Sequence, residues 1–401
     1  MRDNTSSHTK IPRTKPRLLF LCSRPPYPPV GGDRLKNFHL IPELAHFFDL
    51  TMLCLTAEKL PAQGLTYLQQ FGKVYVYHKS RSAFLRAATS APFRFPNPLQ
   101  VSLYYFKDVA EHVRRLASSH DAIFCNLIRT SIYAENLPTP KFCDLADSIS
   151  GHYLRLLKQA RMSTKYPYYL IDTPLISHYE RHVIRTFNQC FLFNRGEMDQ
   201  YQMPDKLTCI PHGVNPNLFK VETADDSYHN SVVFFGKMDT EPNVAAAIWF
   251  AHNVMPLLPQ HMKFVILGAN PSPRVQALAN EQVQVRGFVE DPYAVLRGAL
   301  AVVAPMQFGG GIQNKLLEAM AVGGLCIATS MPARALNSAR HGKELLVADD
   351  PETYAELLVS ISKNPGDYDA IRTTARTYIE RNHSWKLAGE IYADEILKRL
   401  L

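Results

Sequence analysis

The chain has no long hydrophobic run. Nowhere in its 401 residues is there anything close to the roughly 20 consecutive apolar residues needed to cross a bilayer, so no membrane-spanning helix is expected. Residues 1–15 are polar and lack the apolar centre of a secretory leader, so a disordered tail is expected there instead. Metal-ligand cysteine spacing is missing too. Cys22, Cys54, Cys125, Cys143, Cys190, Cys209 and Cys326 include no CxxC pair, are odd in number and stand mostly in apolar contexts. That pattern argues against a zinc site or a disulfide framework and for reduced thiols in a cytosol. There are no repeats of solenoid period and no low-complexity tract. No recognition-helix, zinc-finger or RNP-like motif occurs, so nucleic acid is not an expected partner.

What is present is ordinary for a globular chain: 46% hydrophobic and 20% charged residues, with a length that favours two domains. The charge is divided unevenly. Residues 1–205 carry 26 Lys+Arg against 16 Asp+Glu, a balance of +10; the remainder carries 18 against 20, and the two sum to the overall +8. A basic first half implies an anionic surface or substrate, such as an anionic membrane or a phospholipid-like acceptor. Between Lys79 and Tyr105, Lys79, Arg81, Arg86 and Arg94 alternate with Phe84, Leu85, Phe93 and Phe95. That composition suits a membrane interface as well as a solvated helix with buried phenylalanines.

The most informative stretch runs from Ala299 to Ala321. Its apolar start, Ala299–Ala304, reads as a buried strand, Gly309, Gly310 and Gly311 follow, and a helix is expected from about Ile312. Strand, glycine turn and helix N-terminus together make a site for phosphate, because free N–H groups and the positive helix end face the anion. The pattern is neither GxxxxGK[ST] nor GxGxxG. Lys315 adds a cation. Glu318, an acceptor when ionised, suits the two donors of a sugar diol. Phosphate plus ribose points to a nucleotide; a tight turn and a dipole-complementing Glu are the structural alternative.

Elsewhere strands and helices alternate. Arg17–Cys22 and Leu50–Leu55 are apolar strands flanking a proline loop that ends in Gly31-Gly32, and a helix with Leu40 and Leu44 on one face. In open α/β sheets ligands sit at the carboxyl ends of strands, so Gly31 and Gly32 are a second candidate phosphate contact. Asp144 and Asp147 lie at another such end, where a carboxylate can take a sugar hydroxyl or a proton; Asp147-Ser148 equally fits a helix cap. A helix is expected over Ser177–Phe187, and a strand Ser231–Phe235 ends in Gly236-Lys237 ahead of a helix expected over Asn243–Met255. The expected class is α/β, two Rossmann-like doubly wound domains facing across a cleft. The expected divisions are an acceptor domain at 16–220, a donor domain at 221–382, with Glu222 to Asn230 as linker, and a last helix at 383–401.

Four motifs carry a resemblance. His212-Gly213-Val214-Asn215 resembles the Asn-Gly-Val-Asp turn that closes the first domain of retaining family 4 glycosyltransferases with the GT-B fold. Phe235-Gly236-Lys237 is similar to their Gly-Arg turn, and Gly309 through Ala321 to their donor motif, followed by Gly323-Gly324-Leu325-Cys326-Ile327. Pro25 through Lys36, with Met238-Asp239, Pro242-Asn243 and Asp147-Ser148, resembles the sugar transferases of exosortase (PEP-CTERM) exopolysaccharide systems. The resemblance implies transfer of a hexosyl-type sugar (EC 2.4), with retention, from a nucleotide sugar to a glycan or polyprenyl-linked acceptor. It implies no cofactor and no metal. It places the protein in the cytoplasm, in peripheral contact with the inner face of the membrane, and leaves the fold open to a nucleotide-sugar epimerase or a non-catalytic nucleotide-sugar-binding protein.

The implied donor contacts are Gly31, Gly32, Gly236, Lys237, Gly309, Gly310, Gly311, Ile312, Asn314, Lys315 and Glu318, with Lys237 and Lys315 stabilising the departing diphosphate. Two departures stand out. Gly310 occupies the place of the family's first, sugar-contacting Glu. Lys237 replaces Arg and the family's second Lys is missing, with Asn243 near its place and Lys315 as a substitute. No histidine near Asn126–Ser131 matches the one many relatives carry, so no catalytic base is assigned.

Overall fold

The computed structural model describes residues 15–29, 31–89, 96–159, 166–308, 313–336 and 338–400. The first sheet contains β1 (Arg17–Cys22), β2 (Asp49–Thr56), β3 (Gly72–His78), β4 (Ala122–Asn126), β5 (Lys141–Ala146), β6 (Gln189–Leu192) and β7 (Leu207–Cys209), in the spatial order 3-2-1-4-5-6-7. The second contains β8 (Ser231–Phe235), β9 (Lys263–Leu267), β10 (Val283–Gly287), β11 (Ala301–Ala304), β12 (Cys326–Ala328) and β13 (Leu346–Val347), in the order 10-9-8-11-12-13. Every pairing between these strands is parallel. Parallel strands are covered by helices on both faces, which is why they read as unbroken apolar runs. β1 is buried from Leu18 to Cys22.

Both sheets reverse their strand order at one point, between β1 and β4 and between β8 and β11. The crevice beyond the carboxyl ends at such a reversal is where doubly wound sheets bind ligands. Gly31 and Asn126 lie beyond the first reversal; Gly236 and residues 305–308 lie beyond the second.

Two segments cross between the sheets and are tied together. Val214 N–H donates to the His383 carbonyl (2.9 Å), and His383 Nδ1 bonds the His212 carbonyl at 3.0 Å. The helix Trp385–Leu397 then lies on the first sheet. Its Tyr392 ring packs against Phe124 and Phe191, with centroids at 5.5 and 4.7 Å. Trp385 packs on His39 and His212, at 5.6 and 4.9 Å.

Some bounds differ from the sequence expectation. The helix expected over Ser177–Phe187 runs from Tyr166 to Thr186 and contains Pro174. Asp172, on the same helix, accepts the Leu99 N–H at 2.7 Å, so tertiary contacts hold the segment that the proline obscured. The helix expected from Asn243 begins at Glu241, because Pro242 suits a first turn, and is α-helical only to Trp249.

Candidate functional site

On the second domain the site begins with a close contact between two glycines. A Cβ on Gly268 would stand 1.6 Å from the Gly236 carbonyl oxygen, so only glycine lets the ends of β8 and β9 meet. Lys237 follows. Its ammonium is exposed and pairs with Asp239 at 3.3 Å, while its carbonyl accepts from Asn243 Nδ2 at 2.9 Å. Asn243 Oδ1 in turn accepts from Lys315 Nζ, which comes from the helix Asn314–Ala321. Lys315 Nζ also lies 3.5 Å from Met306 Sδ and 4.8 Å from the centre of the Phe234 ring. Its partners among the described residues are neutral, so burial is uncompensated and pulls the ammonium down to about 7.

Lys315 thus enters the place beside Gly236 and Asn243 from another element. Glu318 is one turn further along the same helix. Burial pushes its carboxyl up to about 7, against a hydrogen bond from Tyr293 OH to Oε2 at 3.4 Å. Asn314 begins that helix and is half-buried. Gly309, Gly310, Gly311 and Ile312 lie outside the described residues.

On the first domain, Gly31 takes φ 97° at the end of the proline loop, and Gly32 starts the helix Gly32–Ala45. Both are exposed, and Leu35 N–H donates to the Gly31 carbonyl at 2.9 Å. One turn into that helix, Lys36 is buried and pairs with buried Asp144. Beside it Asn37 Nδ2 donates to Asn126 Oδ1 at 2.9 Å. A buried pair of this kind is costly to break, because either partner alone is an uncompensated charge.

A cavity of about 670 Å³ joins the two sides. Asn194, Arg195 and Gly196 line it from the first domain, and Met306, Gln307 and Thr329 from the second. Met306 links this wall to Lys315. Its carbonyl also accepts from Thr329 Oγ1 at 2.7 Å, which fixes the turn after β11. Among the described residues no group of three or more His, Cys, Asp or Glu is placed to hold a metal ion, and no helix is long and apolar enough to cross a membrane.

Sequence reasoning missed Tyr293, the cavity wall at Asn194–Gly196 and the Lys36–Asp144 pair. The last had a signal: Lys36, Leu40 and Leu44 are spaced by four, which puts a lysine on the apolar face of its helix.

Comparison with known proteins bears on this geometry. Residues 229–364 match the family model of the glycosyl transferases group 1. An uncharacterized 44.6 kDa protein of the cps region of Klebsiella pneumoniae is 22% identical over 395 residues, spanning 92% of this chain and 97% of its own. Among solved structures, HepE of Anabaena in complex with UDP superposes with a TM-score of 0.66 at 13% identity, over 95% of this chain and 100% of that one. Sucrose-phosphate synthase of Thermosynechococcus elongatus gives 0.64 at 12% identity, over 96% and 99%. The architecture is GT-B, two parallel-sheet α/β domains. The second domain is thus similar to the glycosyl transferases group 1, and the whole chain shares the two-domain fold of these solved structures.

Proposed function

We propose that the chain is a retaining, family 4-type glycosyltransferase that takes a nucleoside diphosphate sugar, with UDP as the first nucleotide to test. The observation that carries this is Lys315. It is a cation held by neutral partners at the carboxyl end of β8, beside the expected glycine loop, with Glu318 one turn on. A half-buried ammonium with no counter-ion among its partners is suited to a diphosphate, and Glu318 to the ribose diol. Gly236 and the glycines 309–311 would bring backbone N–H groups to the phosphates, and Gly31 and Gly32 would approach from the opposite domain. Lys237, exposed and paired with Asp239 alone among the described residues, is free to swing onto the leaving diphosphate. The protein's chemical task is to stabilise that leaving group.

The acceptor is proposed to be a growing, lipid-linked glycan of an exopolysaccharide or capsule. The basic first domain would meet an anionic membrane from the cytoplasm. The cps-region relative and the charge asymmetry support this placement.

The test is calorimetric titration with UDP and UDP-glucose, followed by transfer of labelled sugar to membrane-extracted acceptors. Wild type should bind UDP and transfer sugar with the anomeric configuration kept. Glu318→Ala and Lys237→Ala should abolish transfer while melting like wild type. Full turnover by both variants would sink the residue assignments. Nucleotide binding without turnover would show a binding module, and acceptor-free interconversion of sugars an epimerase.

A further inference from the structure

The loop after β5 carries a carboxylate whose structural duties have all been taken by other residues. Asp147 and Ser148 precede the helix Ile149–Gln159. A capping role for the pair divides in the structure. Ser148 Oγ accepts the Gly151 N–H at 3.0 Å, as an N-cap does. The other free N–H groups of that turn go elsewhere: Ser148 N–H to Glu197 Oε2 at 2.7 Å, and Ile149 and Ser150 N–H to Glu180 Oε1 at 2.7 and 3.2 Å. Glu197 is also held by Arg155 at 3.1 Å. Among the described residues no hydrogen bond or ion pair engages the Asp147 side chain, which is solvent-accessible.

The fold pays to hold Asp147 there. Ala146, just before it, takes φ 64°, and Leu127 on the neighbouring strand end takes φ 66°. Left-handed backbone is disfavoured at residues with a Cβ. Asp144 secures both: its Oδ1 accepts the Ala146 N–H at 3.0 Å, and its carbonyl accepts the Leu127 N–H at 2.8 Å. Lys36 neutralises Asp144 beneath them. On the other side Phe193 N–H donates to the Ala146 carbonyl at 2.9 Å, so Asp147 stands beside the strand end that leads to Asn194, and it is Asn194 that lines the interdomain cavity.

We propose that Asp147 is the hydroxyl-binding carboxylate of the first domain's side of the cleft, accepting a hydrogen bond from a sugar hydroxyl of the acceptor. This rests on the glycosyl-transfer reading above. The Lys36–Asp144 pair positions it and does not touch the acceptor. The electrostatics agree. Its crowded surroundings and the facing Glu197 and Asp144 carboxylates raise its carboxyl to about 6 against the opposing Lys36 and Arg155 charges, and the water that reaches its exposed side chain tempers the rise. An acid raised on folding penalises the folded state above about 6, and the penalty disappears below its ordinary value of 3.8.

Asp147→Asn and Asp147→Glu test this. In thermal melts across pH, D147N should be at least as stable as wild type at pH about 7.5, with any gain lost by about pH 4. Its UDP affinity by calorimetry should stay within about twofold. In the native host deleted for this gene, wild type should restore labelled-sugar incorporation into lipid-extractable glycan, D147E should restore part of it, and D147N should lose at least about tenfold. Destabilisation of D147N at neutral pH, or full incorporation by it, would overturn the proposal. Loss of UDP affinity would reassign Asp147 to the nucleotide sugar. If wild type itself restores nothing, it is the transfer reading that fails.

Discussion

Lys315 and Glu318 sit three residues apart on one helix, and burial moves both toward neutrality, one down to about 7 and the other up to about 7. Their useful forms therefore have opposite pH limits. Lys315 loses its charge as pH rises through about 7, and Glu318 loses its charge as pH falls through the same value. UDP affinity should peak near pH 7 and fall on both sides. Lys315→Met should flatten the alkaline limb and weaken binding roughly tenfold or more, as expected for losing a charge-assisted bond of about 1.5–3 kcal/mol. Glu318→Gln should flatten the acid limb. Calorimetry between pH 5.5 and 8.5 checks this; a Lys315→Met curve that keeps its alkaline limb would remove Lys315 from the phosphate site. The sequence showed these two side chains at the right spacing, but not that Lys315 reaches Asn243, 72 residues earlier.

At the scale of elements, the donor side depends on how closely β8 and β9 end. Gly268 allows the Gly236 carbonyl to lie against it, and a methyl group there has no room. Gly268→Ala should cost about 1–3 kcal/mol, as overpacking does, and should weaken UDP binding by displacing Gly236 and Lys237. Chemical denaturation with a parallel UDP titration measures both. An unchanged midpoint would mean the strand ends separate without cost. Such a contact is invisible in sequence, where Gly268 is one glycine after an apolar strand. The strands themselves were legible as unbroken apolar runs, because parallel sheets bury both faces. The helix Tyr166–Thr186 was only half legible, because its proline reads as a break while its hold on Leu99 is long-range.

For the molecule as a whole, the C-terminal helix is part of the first domain's core. Trp385 lies between His39 and His212, and a Cβ on Gly213 would stand 2.4 Å from the Trp385 ring. Burial pulls His212 down to about 3, so it stays neutral in this packing at physiological pH. Trp385→Ala should cost about 3–5 kcal/mol. It should also loosen the junction where His383 ties the two crossings, giving greater hydrogen exchange at Val214 than at β8. Melting and exchange followed by mass spectrometry would show this; protection at Val214 equal to wild type would mean the hydrogen bonds alone hold the junction.

By itself the sequence determined the alternation of strands and helices, two glycine-bearing strand ends and the residue types a nucleotide sugar requires. These are local properties: apolar periodicity, missing side chains and charge. Only the tertiary structure decided which groups meet. It brought Lys315 to Asn243, buried Lys36 against Asp144 across 108 residues, and gave the capping role to Ser148, so that Asp147 has no partner among the described residues. The reason is that a side chain's charge state and hydrogen bonds are set by what packs around it. In a parallel α/β fold those neighbours come from adjoining strand ends that are distant in sequence.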